Sequence, residues 1–249
     1  MNDGLHPLRR PETSRTPFCA GCGHGILMNA VLRAVDSQQI PERNLLFVSG
    51  IGCAGWIPSP HFNADTLHTL HGRAIPFAVG AKRANPSLTT LVISGDGDLL
   101  SIGGNHLIHA AARNEDLTVI CANNYVYGMT GGQTAPTTPL GTRTSTHPSG
   151  SPNRPPDACA LVRAAGAAYT ARFPVSKPGA LTAAIGRALR TTGFSFVEAL
   201  SPCPTQYGRK NDLASISELY EAMDAACVTV SDAVGLLPGA QSIVIGEFE

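Results

Sequence analysis

The chain is expected to fold as an α/β domain, a doubly wound, mostly parallel sheet with helices on both faces. Three features point there. Short apolar runs alternate with longer stretches of helical spacing. The apolar runs are nearly continuous, as in strands buried on both faces. Glycine-containing segments at 50–55, 95–97 and 123–132 follow those strands directly, so they should meet at one edge of the sheet. That carboxyl edge is where open α/β sheets bind ligands.

The elements follow in chain order. Residues 23–36 set Ile26, Leu27, Ala30, Val31, Ala34 and Val35 on one broad face and predict a helix. Residues 45–49, LLFVS, predict a buried strand ending at Gly50, and 90–94, TLVIS, another. The sequence GDGD comes next, then a helical stretch over 101–114 and a strand at 117–122. Helices are expected at 157–167 and 179–192, and strands at 168–173 and 194–200. Beyond 213 a helix and a short strand, SIVIGEF, are expected. The stretch 131–156 holds four Gly and six Pro in 26 residues and no acidic side chain. Its composition fits a disordered linker. Its position directly after a ligand motif fits an ordered lid or partner-contact loop. No internal repeat is evident.

Composition narrows the function classes. The 249 residues suit one large domain or two small ones. They are 43% hydrophobic and 14% charged, a low charge that suits faces buried against partners. Net charge is zero and there is no Lys/Arg run, which argues against a nucleic-acid binder. No apolar run reaches the ~18 residues that a membrane helix needs. The N-terminus lacks the apolar core of a signal peptide, so a cytoplasmic protein is expected. Seven cysteines is an odd number. In a reducing compartment such cysteines suggest metal or redox chemistry rather than disulfides.

The first constellation is Gly95-Asp96-Gly97-Asp98, between a strand and a helix. Glycines let the backbone approach a ligand closely. Free N–H groups at a helix start favour an anion such as a diphosphate. A diphosphate usually carries Mg²⁺, which prefers hard oxygen ligands. Asp96 can supply one oxygen, and Asn123-Asn124 ends the next strand, in reach of the same edge. GDG alone is as compatible with a tight turn; GDG, a β–α–β span and then NN is far more specific.

The second constellation is cysteine. Cys19 and Cys22 form a CxxC flanked by glycine; Cys53 follows after 30 intervening residues and Cys203 after another 149. Cys53 and Cys203 each follow a predicted strand, so they can reach the edge where CxxC lies. Four thiolates can hold zinc or an iron–sulfur cluster, and a redox dithiol is a third reading. Cys121, Cys159 and Cys227 sit in apolar contexts and read as small buried hydrophobes.

Taken together, CAGCGHG, DTLHTLHGRAIPFAVGAKRANP, GDGD, NN with YGMTGGQTAPTTPLG, and PCPTQYGRKN resemble, in order and spacing, the β subunit of the 2-oxoacid:ferredoxin oxidoreductases. The general pattern looks most like the 2-oxoglutarate group. Ala135 stands where the family usually has Ser. The resemblance covers 17–211, leaving a polar arm over 1–16 and a tail over 212–249 that packs on the domain or on a partner.

The resemblance implies a thiamine-diphosphate-binding fold, the diphosphate-binding half of a thiamine enzyme. It implies thiamine diphosphate contacts from Gly95, Asp96, Gly97, Asp98, Asn124, Tyr127, Gly128, Met129 and Thr130. Mg²⁺ would be held by Asp96, Asn124 and the Val126 carbonyl, and a [4Fe–4S] cluster by Cys19, Cys22, Cys53 and Cys203. His24, His71 and Arg73 are implied at the catalytic centre, where the bland readings are a packed or capping histidine and a surface pair. The implied reaction takes a 2-oxoacid, coenzyme A and oxidised ferredoxin to acyl-CoA, CO₂ and reduced ferredoxin. The second half of a thiamine enzyme is missing, so an α subunit is implied, in an obligate αβ complex, as a dimer of αβ pairs. Trp56 stands where several members that use 2-oxoglutarate carry Lys or Arg, which points toward a less polar 2-oxoacid. A non-oxidative thiamine-dependent decarboxylase subunit is the alternative; it would not need four cysteines. A zinc-stabilised binding protein would not need GDG and NN. A nicotinamide-dependent dehydrogenase is disfavoured, on the reading that no GxGxxG follows the first strand.

Overall fold

The computed structural model describes residues 6–13, 15–213, 215–234 and 242–248. The first helix, α1, spans His24–Ser37. Then come β1 (Leu45–Ser49), β2 (Asp65–His68), α2 (Ala74–Ala84), β3 (Thr89–Gly95) and α3 (Gly104–Ala112). They are followed by β4 (Thr118–Asn123), β5 (Val126–Tyr127), β6 (Gln133–Thr134), α4 (Ala158–Ala165) and β7 (Tyr169–Pro174). The chain continues through α5 (Pro178–Arg190), β8 (Ser195–Leu200), α6 (Ile216–Ala226), β9 (Cys227–Thr229), α7 (Val230–Ala233) and β10 (Ile243–Phe248).

Eight strands form one sheet in the order β2-β1-β3-β4-β8-β7-β10-β9. The neighbours from β2 to β7 pair in parallel, and β10 runs antiparallel to β7. The doubly wound, mostly parallel prediction therefore holds, with an antiparallel edge added by the C-terminal segment. Alternation along each strand divides the core between two faces. Phe47, Leu91, Ile93, Ile120 and Val197 pack with α1 and α5 on one side. Val48, Val92, Val119 and Phe196 pack with α2, α3 and α4 on the other. Each fully buried Leu, Ile or Phe contributes roughly 1.5–3 kcal/mol relative to exposure. Strands that must be apolar on both faces thus appear as continuous hydrophobic runs, which is why they were legible.

Several expectations need adjustment. The strand β2 was not anticipated, because DTLH has only one strongly apolar residue and lies at the sheet edge, half-exposed. The helix expected over 101–114 begins only at Gly104; the preceding Asp98–Ile102 forms a π-helical turn. Cys227 is half-buried rather than fully enclosed, whereas Cys121 and Cys159 are buried. The helix expected at 157–167 is set by its ends. The Asp157 side chain accepts from the Ala160 N–H, and Gly166 takes the left-handed conformation (φ 111°) that stops the helix. The tail contributes β9 and α7 as well as the expected helix and strand; residues 214, 235–241 and 249 of it lie outside the described residues. Of the arm, 1–5 and 14 lie outside. Within 6–13, Leu8 is buried and Arg9 forms a bridge with Phe62.

The stretch 131–156 is ordered, not a linker. Ser145 N–H donates to the Gly132 carbonyl (2.8 Å), Ser151 N–H to Thr142 (2.8 Å), and Arg143 N–H to the Asn211 side chain (2.8 Å). The small hairpin of β5 and β6 opens it. Its prolines and glycines shape a loop laid against the carboxyl edge of the sheet.

Candidate active site

The sheet edge is built from β3 and β4. Just past β3, Asp96 is 2% exposed. Its carboxylate accepts a hydrogen bond from the Thr137 hydroxyl, and among the described residues no Lys, Arg or His pairs with it. Burial pushes this carboxyl up to about 6, against the pull of the Thr137 hydroxyl and the backbone N–H groups of Asn124 and Gly97. A buried carboxylate of this kind is stabilised in its charged form by a cation.

Beyond β4 the chain reverses at Tyr125, which takes a left-handed φ of 68°. The carboxamides of the asparagine pair cap the reversal. Asn123 Oδ1 accepts from Tyr125 N–H (3.0 Å) and Asn124 Oδ1 from Val126 N–H (3.1 Å). Tyr127 then leans back over the GDG turn, its hydroxyl donating to the Gly97 carbonyl (3.2 Å). A Cβ on Gly97 would lie 2.3 Å from the Tyr127 ring, so only glycine fits there. Met129 and Thr130 are exposed at the tip of the turn.

Asp98, grouped by resemblance with the cofactor contacts, has its carboxylate engaged by the protein. Its Oδ1 accepts from Ile51 N–H (3.2 Å) and Gly72 N–H (2.7 Å) and pairs with His71 Nδ1; its Oδ2 accepts from Ser94 Oγ (2.7 Å). One carboxylate thus ties together the loops after β1, β2 and β3. His71 is half-buried, edge-on to Tyr127 with ring centroids 6.2 Å apart. The Arg73 guanidinium touches the carbonyls of Gly72 (3.4 Å) and Ile102 (3.2 Å), with no carboxylate partner among the described residues.

The cysteines meet on the same edge. A Cβ on Gly128 would lie 3.6 Å from Cys53 Sγ, 3.8 Å from Cys203 Sγ and 3.5 Å from Asn124 Nδ2. Cys53 opens a 3₁₀ turn, Cys53–Trp56, after β1; Cys203 Sγ accepts from Gln206 N–H (3.4 Å) after β8. The CxxC loop is held against the latter by Gly23 N–H, which donates to the Pro202 carbonyl (3.2 Å). Cys19, Cys53 and Cys203 are all near enough to Cys22 to act on it electrostatically. Burial, opposed by the His24 backbone N–H and reinforced by these thiols, pushes Cys22 up to about 12; burial and two of them push Cys53 to about 11. Thiols with such pKa values ionise only against a strong positive centre. Among the described residues, no three His, Cys, Asp or Glu side chains group as ligands of a single metal ion.

His24 is fully enclosed. Its Nδ1 lies 2.6 Å from Ser201 Oγ, its Nε2 has no partner, and burial lowers it to about 4, keeping it neutral. Contrary to the reading that no GxGxxG follows the first strand, Gly50, Gly52 and Gly55 have the spacing of a dinucleotide fingerprint directly after β1. The segment leads into the Cys53–Trp56 turn and not into an α-helix, so the context of a nicotinamide site is absent. Thr137 and Thr138, inside the quoted APTT segment, carried no assigned role; Thr137 reaches Asp96, and Thr138 Oγ1 donates to the Tyr125 carbonyl (2.5 Å). Their signal was present in the motif, but which carboxylate they would meet depended on how the loop folds back.

A parallel sheet whose carboxyl edge joins GDG to NN has the architecture of a thiamine enzyme's cofactor-binding half. Consistently, residues 50–199 match the family of the thiamine pyrophosphate enzyme C-terminal TPP binding domain. The chain is 47% identical, over 99% of its length and 86% of the relative, to a 2-oxoglutarate synthase subunit KorB of Methanothermobacter thermautotrophicus. It is 42% identical, over 76% of its length and 62% of the relative, to a 2-oxoacid:ferredoxin oxidoreductase subunit beta of Saccharolobus solfataricus. It superposes with a TM-score of 0.86 and 30% identity on a solved 2-oxoglutarate:ferredoxin oxidoreductase from Magnetococcus marinus with 2-oxoglutarate, coenzyme A and succinyl-CoA bound, covering 98% of this chain and 84% of that one. The chain belongs to the family of 2-oxoacid:ferredoxin oxidoreductase β subunits.

Proposed function

We propose that this chain is the β subunit of an enzyme that oxidatively decarboxylates a 2-oxoacid with coenzyme A, passing electrons through a [4Fe–4S] cluster to ferredoxin. The observation that carries the reading is the meeting of Cys53, Cys203 and Asn124 around Gly128, which sets the thiols against the metal turn. Asp96 and Asn124, with the Val126 carbonyl, would hold Mg²⁺ on the diphosphate; a cation there answers the buried, unpaired carboxylate. Cys19, Cys22, Cys53 and Cys203 would hold the cluster, which spans a wider gap than one ion. Thiamine diphosphate would serve as the electron sink for the carbon chemistry. The protein orients and shields. Tyr127 on Gly97 fixes the turn, Asp98 holds His71 at the edge, and Arg73 offers a cationic group for an anionic substrate.

The substrate class is a 2-oxoacid. The full-length relatives named for 2-oxoglutarate favour that acid, while exposed Trp56 in place of a basic residue favours a less polar one. The relatives' description as subunits supports an α partner, which would supply the pyrimidine-binding half. Ile51, Trp56, Leu70, Ile102 and Met129 are exposed apolar side chains in the segments that follow β1, β2, β3 and β5, as a surface covered by such a partner would be. No helix among the described residues is long and apolar enough to cross a membrane, and we place the enzyme in the cytoplasm. A non-oxidative decarboxylase subunit is less favoured, since it leaves the gathered thiols without a task.

The test is anaerobic co-purification with the α subunit. About four iron and four acid-labile sulfide per chain are expected, together with viologen reduction that depends on both a 2-oxoacid and coenzyme A. Colourless protein holding one zinc, or 2-oxoacid turnover without dye reduction, would defeat the proposal. A panel of 2-oxoacids decides the substrate.

A further inference from the structure

A buried polar chain runs from the metal turn into the sheet. The Thr137 hydroxyl lies within hydrogen-bonding reach of both Asp96 Oδ2 and Asn123 Oδ1, the latter at 3.0 Å. Asn123 Nδ2 donates to Glu198 Oε1 (2.7 Å), and Arg172 Nε donates to Glu198 Oε2 (2.6 Å). Arg172 Nη1 donates to the Val244 carbonyl (3.0 Å), and Nη2 to Asp157 Oδ1 (2.5 Å). Asp96, Thr137, Asn123, Glu198 and Arg172 are all buried. The chain therefore links the site to β8, β7 and the C-terminal strand β10.

A hydroxyl has one proton, and two acceptors compete for the proton of Thr137. Asn123 Oδ1 already accepts from Tyr125 N–H, and Asn123 is held from its other end by Glu198. The ionised Asp96 carboxylate is the stronger acceptor. The hydroxyl proton therefore points chiefly to Asp96 Oδ2, with the anchored Asn123 Oδ1 as the weaker second acceptor of the same proton. With Oδ2 engaged, the orientation of the carboxylate is set before a cation arrives.

We propose that Thr137 is a positioning residue of the metal site: its hydroxyl, braced by Asn123 and Glu198, holds Asp96 in the orientation that accepts the divalent cation. The inference rests on the thiamine reading above and adds a residue from the loop to it. Partners that orient metal ligands in this way typically change metal affinity by about 10- to 100-fold when removed.

The test uses the αβ complex stripped of cofactor, thiamine diphosphate at fixed concentration, and Mn²⁺ as a probe followed by electron paramagnetic resonance. Thr137→Val, close in shape and without the hydroxyl, should weaken Mn²⁺ binding about 10- to 100-fold. Thr137→Ser, which retains the hydroxyl, should bind Mn²⁺ much as the unaltered complex does. Mn²⁺ binding by Thr137→Val equal to the unaltered complex would overturn the proposal. So would equal weakening by Val and Ser, which would assign the effect to the lost methyl contacts. If the unaltered complex takes up no Mn²⁺ with thiamine diphosphate, the thiamine reading itself falls. Thermal unfolding of each variant separates misfolding from lost affinity.

Discussion

A buried carboxylate without a cationic partner is costly, and Asp96 has no Lys, Arg or His beside it among the described residues. Removing its charge should relieve the fold while depriving the site of a ligand. Asp96→Asn is expected to melt no lower than the unaltered apo complex, yet to bind Mg²⁺ and thiamine diphosphate at least about 10-fold more weakly. Calorimetry of apo protein and a cofactor titration measure the two sides separately. Asp98 should behave in the opposite way, because its oxygens serve Ile51, Gly72, His71 and Ser94. Asp98→Ala leaves buried donors unpaired and should cost about 1–3 kcal/mol for each donor that stays dry. Denaturant unfolding of the apo complex would register that loss even with no cofactor present. If the proposed cluster is bound, Cys203→Ser should lower iron and sulfide content in anaerobic preparations, whereas Cys227→Ser, whose thiol donates to the Met223 carbonyl, should not.

Among the elements, the turn between β3 and α3 is closely packed. Gly97 has an ordinary helical φ of −62°, so its requirement for glycine is steric and not conformational. In Gly97→Ala the new methyl meets the Tyr127 ring at 2.3 Å. A loss of about 1–3 kcal/mol, the usual cost of overpacking, is expected with weakened thiamine diphosphate binding. Replacing Tyr127 by Leu in the same chain should recover part of the stability, which a thermal melt would reveal. The loop 131–156 shows how composition can mislead. Its Gly and Pro content fits disorder, yet Thr137, Thr138 and Arg143 anchor it to Asp96, to the Tyr125 carbonyl and to the Asn211 side chain. Proline and glycine restrict or free the backbone locally; whether the segment is ordered depends on partners outside it.

Across the whole molecule, the Asp157–Arg172–Glu198 network joins α4, β7, β8 and β10. Burial would raise the Asp157 carboxyl, but the Arg172 guanidinium outweighs it and holds Asp157 below its ordinary value. A depressed carboxyl stabilises fully above its unfolded value, about 3.9, and the stabilisation disappears as pH falls through the lower folded value. Asp157→Asn should therefore destabilise the protein at pH 7 and make little difference in strong acid. Urea midpoints measured at both pH values test this. Assembly belongs to the same scale: Leu70, at 70% exposure the most open of the apolar residues at the carboxyl edge, should be covered by the α subunit. Leu70→Asp is expected to reduce co-purification of the partner without lowering the melting temperature of the isolated chain.

The order of buried strands, the GDG and NN turns and the four thiols were all written in the chain. Continuous apolar runs and short glycine motifs depend on residues close in sequence. The half-exposed edge strand β2, the antiparallel addition of β10 and the enclosure of His24 were not legible, because burial at these places is set by neighbours distant in sequence. The gathering of Cys53, Cys203 and Asn124 around Gly128, the role of Asp98 as a tie between three loops and the reach of Thr137 to Asp96 were decided only by the tertiary structure. Residues 41 positions apart meet only once the whole sheet has fixed where each loop returns.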